Sequence, residues 1–253
     1  MTQTLPYDDP IVLAAKRARL AQAGANAWQV AYLAAGIPTS NIKSSFSTLD
    51  PKDDPTAYQA AKDFAEGLDQ VDEPISCDIE TQRLHGQGYR GSHLQQKVTD
   101  LFEAAMQPDR GPRGLLLKGP PGNGKTSLAC AIARHYAQTT KGRRSIKFCH
   151  VHDLLEEVKT TWSGDESQSI VDLVRGADLL VLDDLGQQRV TDWSSDQIRQ
   201  LLHYLWSEEC NVILTTNLEI QALDEALGTE AAMSRLIGLC QIVTLSGRDR
   251  RLG

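Results

Sequence analysis

The sequence of 253 residues lacks the features of several protein classes. No apolar run reaches the roughly 18 residues that a membrane-spanning helix needs. The start of the chain, with Asp8 and Asp9, lacks the basic and apolar stretches of a signal peptide. The chain has 26 Lys and Arg residues and 33 Asp and Glu residues, which gives a net charge of −7. This charge excludes a protein that binds nucleic acid over its whole surface, but it does not exclude a local basic groove. We therefore expect a soluble cytoplasmic protein without a membrane partner.

Cysteines are scarce as well. The five cysteines are scattered, odd in number and never in a C-x-x-C pair, which excludes a disulfide-built scaffold and disfavours a structural zinc site. Cys149, His150 and His152 lie close together in the sequence. On a strand, however, the two histidines share one face while Cys149 points to the other, and no second group of ligands is evident. We therefore predict core and surface positions for these three residues, not a zinc site.

The composition divides the chain into three predicted regions. Residues 1–37 contain a helical pattern over 11–35, which is the candidate partner-binding element. Residues 38–91 are rich in acidic residues, Pro and Gly, which predicts a solvated connector with one short helix near 57–66. From residue 92 to residue 253, short apolar runs alternate with helical patterns, which predicts a mainly parallel sheet covered by helices on both faces. The predicted strands cover residues 114–118, 145–151, 179–183, 211–216 and 241–245.

A phosphate-binding motif follows the first predicted strand. The sequence Gly119-Pro120-Pro121-Gly122-Asn123-Gly124-Lys125-Thr126 fits G-x-x-x-x-G-K-[ST] and lies between an apolar strand and a helical pattern. Glycines in such a loop let backbone N–H groups surround phosphate oxygens at the positive end of the following helix. We expect Lys125 to reach the β- and γ-phosphates and the Thr126 hydroxyl to bind Mg²⁺. The predicted nucleotide-binding residues are Gly119, Pro120, Gly122, Asn123, Gly124, Lys125, Thr126 and Ser127.

Two later strands are predicted to end in polar residues at the same edge of the sheet. Asp183 and Asp184 follow an apolar run, where two adjacent acids are costly unless they serve a cation or a reaction. We expect Asp183 to hold Mg²⁺ and Asp184 to orient and polarise the attacking water. Asn217 follows the next apolar strand, and its amide is a candidate for holding the same water. Because ligands bind at the carboxyl ends of parallel strands, these residues predict a nucleotide site.

The ordered set of motifs resembles the AAA+ ATPases of the DnaC/DnaI/IstB group, which are bacterial helicase loaders and transposition helper ATPases. The resemblance extends over roughly residues 110–251. Besides the phosphate-binding motif, it rests on segments 153–155, 177–186, 215–218, 234–236 and 247–251. It implies a P-loop NTPase three-layer α/β sandwich, with the five-stranded sheet of an AAA+ core and no helical lid. It also implies that the chain takes ATP and Mg²⁺.

The same resemblance implies roles for residues late in the chain. Asn217 matches the sensor 1 position, Arg235 the arginine finger and Arg251 the sensor 2 arginine, with Arg250 as the alternative for the last. An arginine finger acts on nucleotide bound by the neighbouring subunit, so a ring or spiral of identical subunits is implied. Many relatives have Glu at the position of Asp184. The shorter side chain predicts slow ATP hydrolysis without partners.

The resemblance favours one function and leaves alternatives open. The favoured function is an ATPase that assembles on single-stranded DNA and loads a DnaB-type replicative helicase during DNA replication. The alternative within the family is an IstB-like helper that assembles on duplex DNA and works with a transposase. A P-loop kinase and a nucleotide-binding module without catalysis are the alternatives outside it. Since an aromatic ring beside a cation can hold single strands, the candidate DNA contacts are Lys159, Trp162, Trp193 and Ser194.

Overall fold

The computed structural model describes residues 25–69, 112–161, 168–208, 210–228 and 230–247. Trp162, Arg250 and Arg251 lie outside these ranges, as do most of the helical pattern over 11–35 and the later part of the predicted connector. The predicted division into 1–37, 38–91 and 92–253 therefore stays a prediction.

The described residues contain a five-stranded sheet in which every pair of neighbouring strands is parallel. The strands are β1 (Gly114–Lys118), β2 (Ile146–His150), β3 (Leu179–Asp183), β4 (Val212–Thr216) and β5 (Cys240–Thr244). Their order across the sheet is β2-β3-β4-β1-β5. The predicted parallel α/β architecture is confirmed, and each predicted strand end lies within one residue of the observed one.

Helices cover both faces of this sheet. In the described ranges they are α1 (Ala27–Ala34), α2 (Pro55–Asp69), α3 (Lys125–Thr139), α4 (Val151–Thr161), α5 (Ile170–Val174), α6 (Asp192–Ser207), α7 (Ile220–Leu227) and α8 (Glu230–Leu239). A 3₁₀ turn, Thr39–Asn41, follows α1. Local sequence sets several helix ends: Thr191 caps the start of α6 by accepting a hydrogen bond from the Ser194 N–H at 3.1 Å. Gly228 ends α7 in a left-handed conformation, with φ 75°.

The strands bury both faces because their side chains alternate between two apolar layers. Leu115, Val181 and Ile213 pack into a core with α1, α2 and α3. Their chain neighbours Leu116 and Leu182 pack into a second core with α4 to α8. Because all neighbouring strands are parallel, the carboxyl ends of the five strands lie at one edge of the sheet.

Residues that precede the sheet are part of the first apolar layer. Tyr32 of α1 is 2% exposed, and its hydroxyl donates to the Cys130 carbonyl of α3 at 3.3 Å. In α2, Ala57, Ala61 and Ala65 are buried against the same layer. This described part of the predicted connector is therefore packed, not solvated. The physical reason is that α2 directs its alanines to the core and its charges to solvent.

None of the helices in the described ranges combines the length and apolar character needed to cross a membrane. No disulfide joins the cysteines of those ranges.

Candidate functional site

A cavity of about 650 Å³ lies at the carboxyl edge of the sheet. It is formed by the phosphate-binding motif, by the ends of β2, β3 and β4, and by the turn after α1. Its lining residues are Pro38, Ser40, Asn41, Pro121, Gly122, Gly124, Lys125, Thr126, Ser127, His150, Asp183, Asp184, Gln187 and Asn217. The residues predicted for nucleotide, metal and water are thus gathered around one space.

The loop conformation depends on glycine at two points. Gly124 is the residue immediately before α3, and its φ of 94° lies in the left-handed region that glycine adopts without strain. This conformation turns the chain into the helix. At Gly119, with φ 150°, a Cβ would lie 2.3 Å from the Leu245 carbonyl oxygen and 2.5 Å from Nδ2 of Asn123. The loop passes so close to the residue after β5 that only glycine fits at this position. Its N–H groups and the start of α3 then form an anion-binding end of the cavity.

Lys125 is held inside the loop. Its side chain is buried, and Nζ donates to the carbonyl oxygens of Gly119 and Pro120, both at 2.8 Å, and to Oδ1 of Asn123 at 3.2 Å. Asn123 is also buried and donates through Nδ2 to the Leu245 carbonyl at 2.8 Å. The Asn123 side chain therefore anchors the loop, and the positive charge of Lys125 stays at the cavity wall.

Thr126 and Asp183 meet across the cavity floor. Thr126 Oγ1 lies 3.0 Å and 3.1 Å from the two carboxylate oxygens of Asp183. Burial raises the pKa of Asp183 above its usual value; hydrogen bonds from Thr215 and Thr126 counter this, while the neighbouring Asp184 adds to it. A hydroxyl and a carboxylate are oxygen ligands of the kind that Mg²⁺ prefers, so the side chains present fit this ion.

Asp184 is half-buried and contacts the predicted sensor residue. Asn217 Nδ2 donates to Oδ1 of Asp184 at 3.1 Å. The backbone of Asp184 has φ 61°, a left-handed conformation that Asp and Asn adopt more readily than most residues. Its N–H donates to Thr215 Oγ1 at 3.0 Å, which holds this conformation. A carboxylate and an amide thus face the same space beside the phosphate loop.

Comparison with known sequences assigns this arrangement to a family. Residues 88–253, more than half of the chain, match the family described as IstB-like ATP binding protein. The chain belongs to this family. No curated protein sequence matches the chain.

Solved structures are similar to this IstB-like protein over most of its length. DnaI is 25% identical with a TM-score of 0.56, covering 85% of this chain and 95% of the DnaI chain. A candidate primosome component from Streptococcus pyogenes serotype M3 is 21% identical with a TM-score of 0.54, covering 85% and 93% of the two chains, and shows the fold alone. The DnaC helicase loader is 26% identical with a TM-score of 0.48, covering 62% and 92%. The IstB-like chain has a P-loop NTPase α/β fold of the AAA+ type.

Several residues that build the IstB-like site were not predicted from the sequence as parts of it. Thr215, buried in β4, donates to Oδ1 of Asp183 at 2.6 Å and so ties the two strand ends together. Asn41, from the turn after α1, donates through Nδ2 to Ser127 Oγ at 2.9 Å. His150 ends β2 beside Asp183. The sequence places His150 near the end of the predicted strand 145–151, and so at the carboxyl edge of the sheet, but it does not show which strand lies beside it.

Other predicted residues lie away from the nucleotide cavity. Arg235 is a half-buried residue of α8 and is not part of the cavity lining described above; its role as an arginine finger stays a prediction. Lys159 and Trp193 meet at a second cavity of about 570 Å³, with Nζ 5.2 Å from the indole centroid. Ser194 is buried there, and its hydroxyl donates to the carbonyl oxygens of Arg189 and Thr191, so it is engaged in the cap of α6.

Proposed function

We propose that this IstB-like chain is an ATP-hydrolysing switch that assembles on single-stranded DNA and loads a DnaB-type replicative helicase. The observation that carries the ATPase part is the grouping of Lys125, the Thr126–Asp183 contact and the Asp184–Asn217 pair around one cavity. Phosphoryl transfer to water needs a group that binds the phosphates, ligands for the cation and a group that orients the attacking water. The three groups supply these requirements in that order.

The residues divide this work between them. Loop N–H groups and Lys125 bind the phosphates, and the charge of Lys125 favours the additional charge of the transition state. Thr126 and Asp183 supply oxygen ligands for Mg²⁺, whose contribution when bound is to neutralise charge on the phosphates. Asp184 orients the attacking water, and Asn217 holds the Asp184 carboxylate.

The proposed assembly depends on Arg235, which is not part of the cavity lining of its own chain. Arg235, on α8, reaches nucleotide on a neighbouring subunit in this proposal, so hydrolysis depends on a ring or spiral. Arg251 is assigned to the sensor 2 position on the resemblance alone. An ATP site that is completed by a second copy suits a switch better than an enzyme that hydrolyses ATP continuously. We therefore expect slow hydrolysis by the isolated chain.

Helicase loading is favoured over transposition by the similarity to DnaI. That similarity reaches 25% identity over 85% of this chain and 95% of the DnaI chain. The second candidate, a helper that assembles on duplex DNA with a transposase, is supported by the match to IstB-like proteins over residues 88–253. Both candidates use the same ATP site and differ in DNA and partner.

A loading assay separates the two candidates. The purified chain, a DnaB-type helicase from the same organism and ATP are mixed with circular single-stranded DNA, and displacement of an annealed oligonucleotide is measured. We expect displacement to require the chain and ATP. Parallel mixtures contain duplex DNA and a transposase encoded beside the gene. ATP-dependent assembly on the duplex without any effect on the helicase would favour the second candidate, and no ATP-dependent DNA binding of either kind would contradict both.

The second cavity is the proposed DNA contact. Lys159 of α4 lies against the Trp193 ring, and Arg189 adds a further cation to the lining. An ion pair between Lys159 and the exposed Glu156 at 2.5 Å holds the ammonium group only weakly, because both side chains are about half exposed to solvent. A cation beside an aromatic ring can take a phosphate and a stacked base without reading sequence.

Lys159→Ala is expected to weaken ATP-dependent binding of an oligothymidine by about three- to tenfold. One lost phosphate contact should also reduce the slope of log affinity against log salt by about 0.7. Fluorescence anisotropy at several salt concentrations measures both quantities. Lys62→Ala, which removes an exposed lysine of α2, is the matched control. Equal affinity and slope in the Lys159 variant and the wild type would place the DNA elsewhere.

A further inference from the structure

His150 is placed beside the proposed cation ligands by strand register. In the parallel β2–β3 pair, His150 is aligned with Asp183. Nδ1 of His150 lies 3.4 Å from Oδ2 of Asp183. The histidine side chain is 39% exposed and lines the nucleotide cavity, whereas the Asp183 side chain is 3% exposed. The imidazole therefore borders the space into which Asp183 and Thr126 project their oxygens.

The orientation of this imidazole is constrained from its own strand. Phe148 stands two residues earlier on the same face of β2, and its ring meets His150 edge to face, with centroids 5.4 Å apart and planes at 84°. Phe148 is itself buried in the first apolar core. A ring packed on a fixed aromatic neighbour loses little additional freedom when its nitrogen binds a ligand.

The spacing of the donor atoms suits a shared cation. Ligand atoms of His150, Asp183 and Asp184 lie within 4.8 Å of one another, and Thr126 Oγ1 is 3.0 Å from Asp183 Oδ1. In an octahedral ion with bonds of about 2.1 Å, adjacent ligands are about 3 Å apart. The Nδ1–Oδ2 separation of 3.4 Å is close to this spacing. The imidazole and Asp183 can therefore share one ion, beside the Thr126 hydroxyl that contacts Asp183.

A nitrogen ligand shifts the relative affinities of different cations for a site. Mg²⁺ takes oxygen ligands and retains its waters, whereas first-row transition-metal ions accept imidazole readily. We propose that His150 is a direct ligand of the cation that accompanies the nucleotide, so that Mn²⁺ gains affinity relative to Mg²⁺ compared with a site of oxygen ligands alone. The inference rests on the proposed ATP site and adds a nitrogen ligand of its cation.

Pulsed electron paramagnetic resonance with Mn²⁺ and ADP as probes tests the coordination directly. In protein labelled with ¹⁵N at histidine, a bound imidazole couples its ¹⁵N nucleus to Mn²⁺, while adenine contributes ¹⁴N. We expect this coupling in the wild type and in His152→Ala, the control for a neighbouring histidine outside the nucleotide cavity. It should disappear in His150→Asn, whose amide can still hydrogen-bond to Asp183. Competition between the ions should show about a tenfold fall in the Mn²⁺-to-Mg²⁺ affinity ratio of His150→Asn.

The possible results separate this inference from the proposed function. Wild-type protein that binds ADP with Mn²⁺ but shows no ¹⁵N coupling would make His150 a hydrogen-bond partner of Asp183 and leave the ATPase proposal intact. Coupling that persists in His150→Asn would assign another histidine as the ligand and overturn the inference. Absence of ADP binding by the wild type would overturn both proposals. Circular dichroism without metal verifies folding, and the wild-type spectrum decides the coordination if the variant does not fold.

Discussion

Lys125→Ala is expected to weaken ATP binding by about ten- to a hundredfold. Hydrogen bonds to charged groups contribute about 1.5–3 kcal/mol each, and about 1.4 kcal/mol corresponds to a tenfold change in affinity. Nζ of Lys125 lies at the cavity wall and donates to Gly119, Pro120 and Asn123, so phosphate binding exchanges such contacts for hydrogen bonds to charged oxygens. Isothermal titration calorimetry with ATP and Mg²⁺ measures the loss. Thermal unfolding provides a second readout, because ATP at 100 times its dissociation constant should stabilise the wild type by about 2.7 kcal/mol.

Lys118→Ala is the matched control for this variant. Lys118 is the last residue of β1 and forms an ion pair with Glu219 at 2.6 Å, outside the lining of the nucleotide cavity. It removes the same charge from nearly the same place in the chain, so its ATP affinity should stay within about threefold of the wild type. If the two variants bind ATP equally well, the phosphates do not lie in the loop that contains Lys125, and the proposed ATPase is wrong.

The parallel sheet and its loop could be predicted from the sequence because their signals are local. The strands are short, largely apolar segments bounded by polar residues. The motif from Gly119 to Thr126 is typical of a loop that follows a strand and precedes a helix, so it also predicts the elements on either side. The placement of Asp183, Asp184 and Asn217 at one edge follows from parallel strands. These inferences need no knowledge of which strands are adjacent.

Other parts of the site depend on which strands and helices lie next to each other, and this order cannot be read from the sequence. His150 acquires a candidate role because β2 lies next to β3, and Thr215 because β4 lies on the other side. The turn that carries Asn41 reaches Ser127 through packing between α1 and α3. In α2, buried alanines form part of the face that packs on the core, but alanine gives a weak apolar signal among acidic neighbours. Composition therefore predicts a solvated segment at α2, whereas the structure packs this helix into the first apolar layer.

Asp184→Asn is expected to reduce ATP turnover by about a hundredfold or more while changing ATP affinity by less than about threefold. Positioned acid–base groups contribute about 10²–10⁴ to rate, and the amide cannot accept the proton of the attacking water. The exchange is well suited to this position, because the φ of 61° is one that Asn adopts as readily as Asp. The new amide oxygen can also still accept the hydrogen bond from Asn217. Phosphate release with saturating ATP, with and without DNA, measures the effect.

Two further variants show whether the carboxylate itself is responsible. Asp153→Asn removes an exposed carboxylate from the first turn of α4 and should leave turnover unchanged. Asp184→Glu restores a carboxylate on a longer side chain, at a stability cost of roughly 1 kcal/mol for a residue less suited to the left-handed conformation. It should hydrolyse ATP faster than Asp184→Asn. If Asp184→Asn keeps the wild-type rate, the attacking water is oriented by another group, and the Asp184–Asn217 contact has a structural role instead.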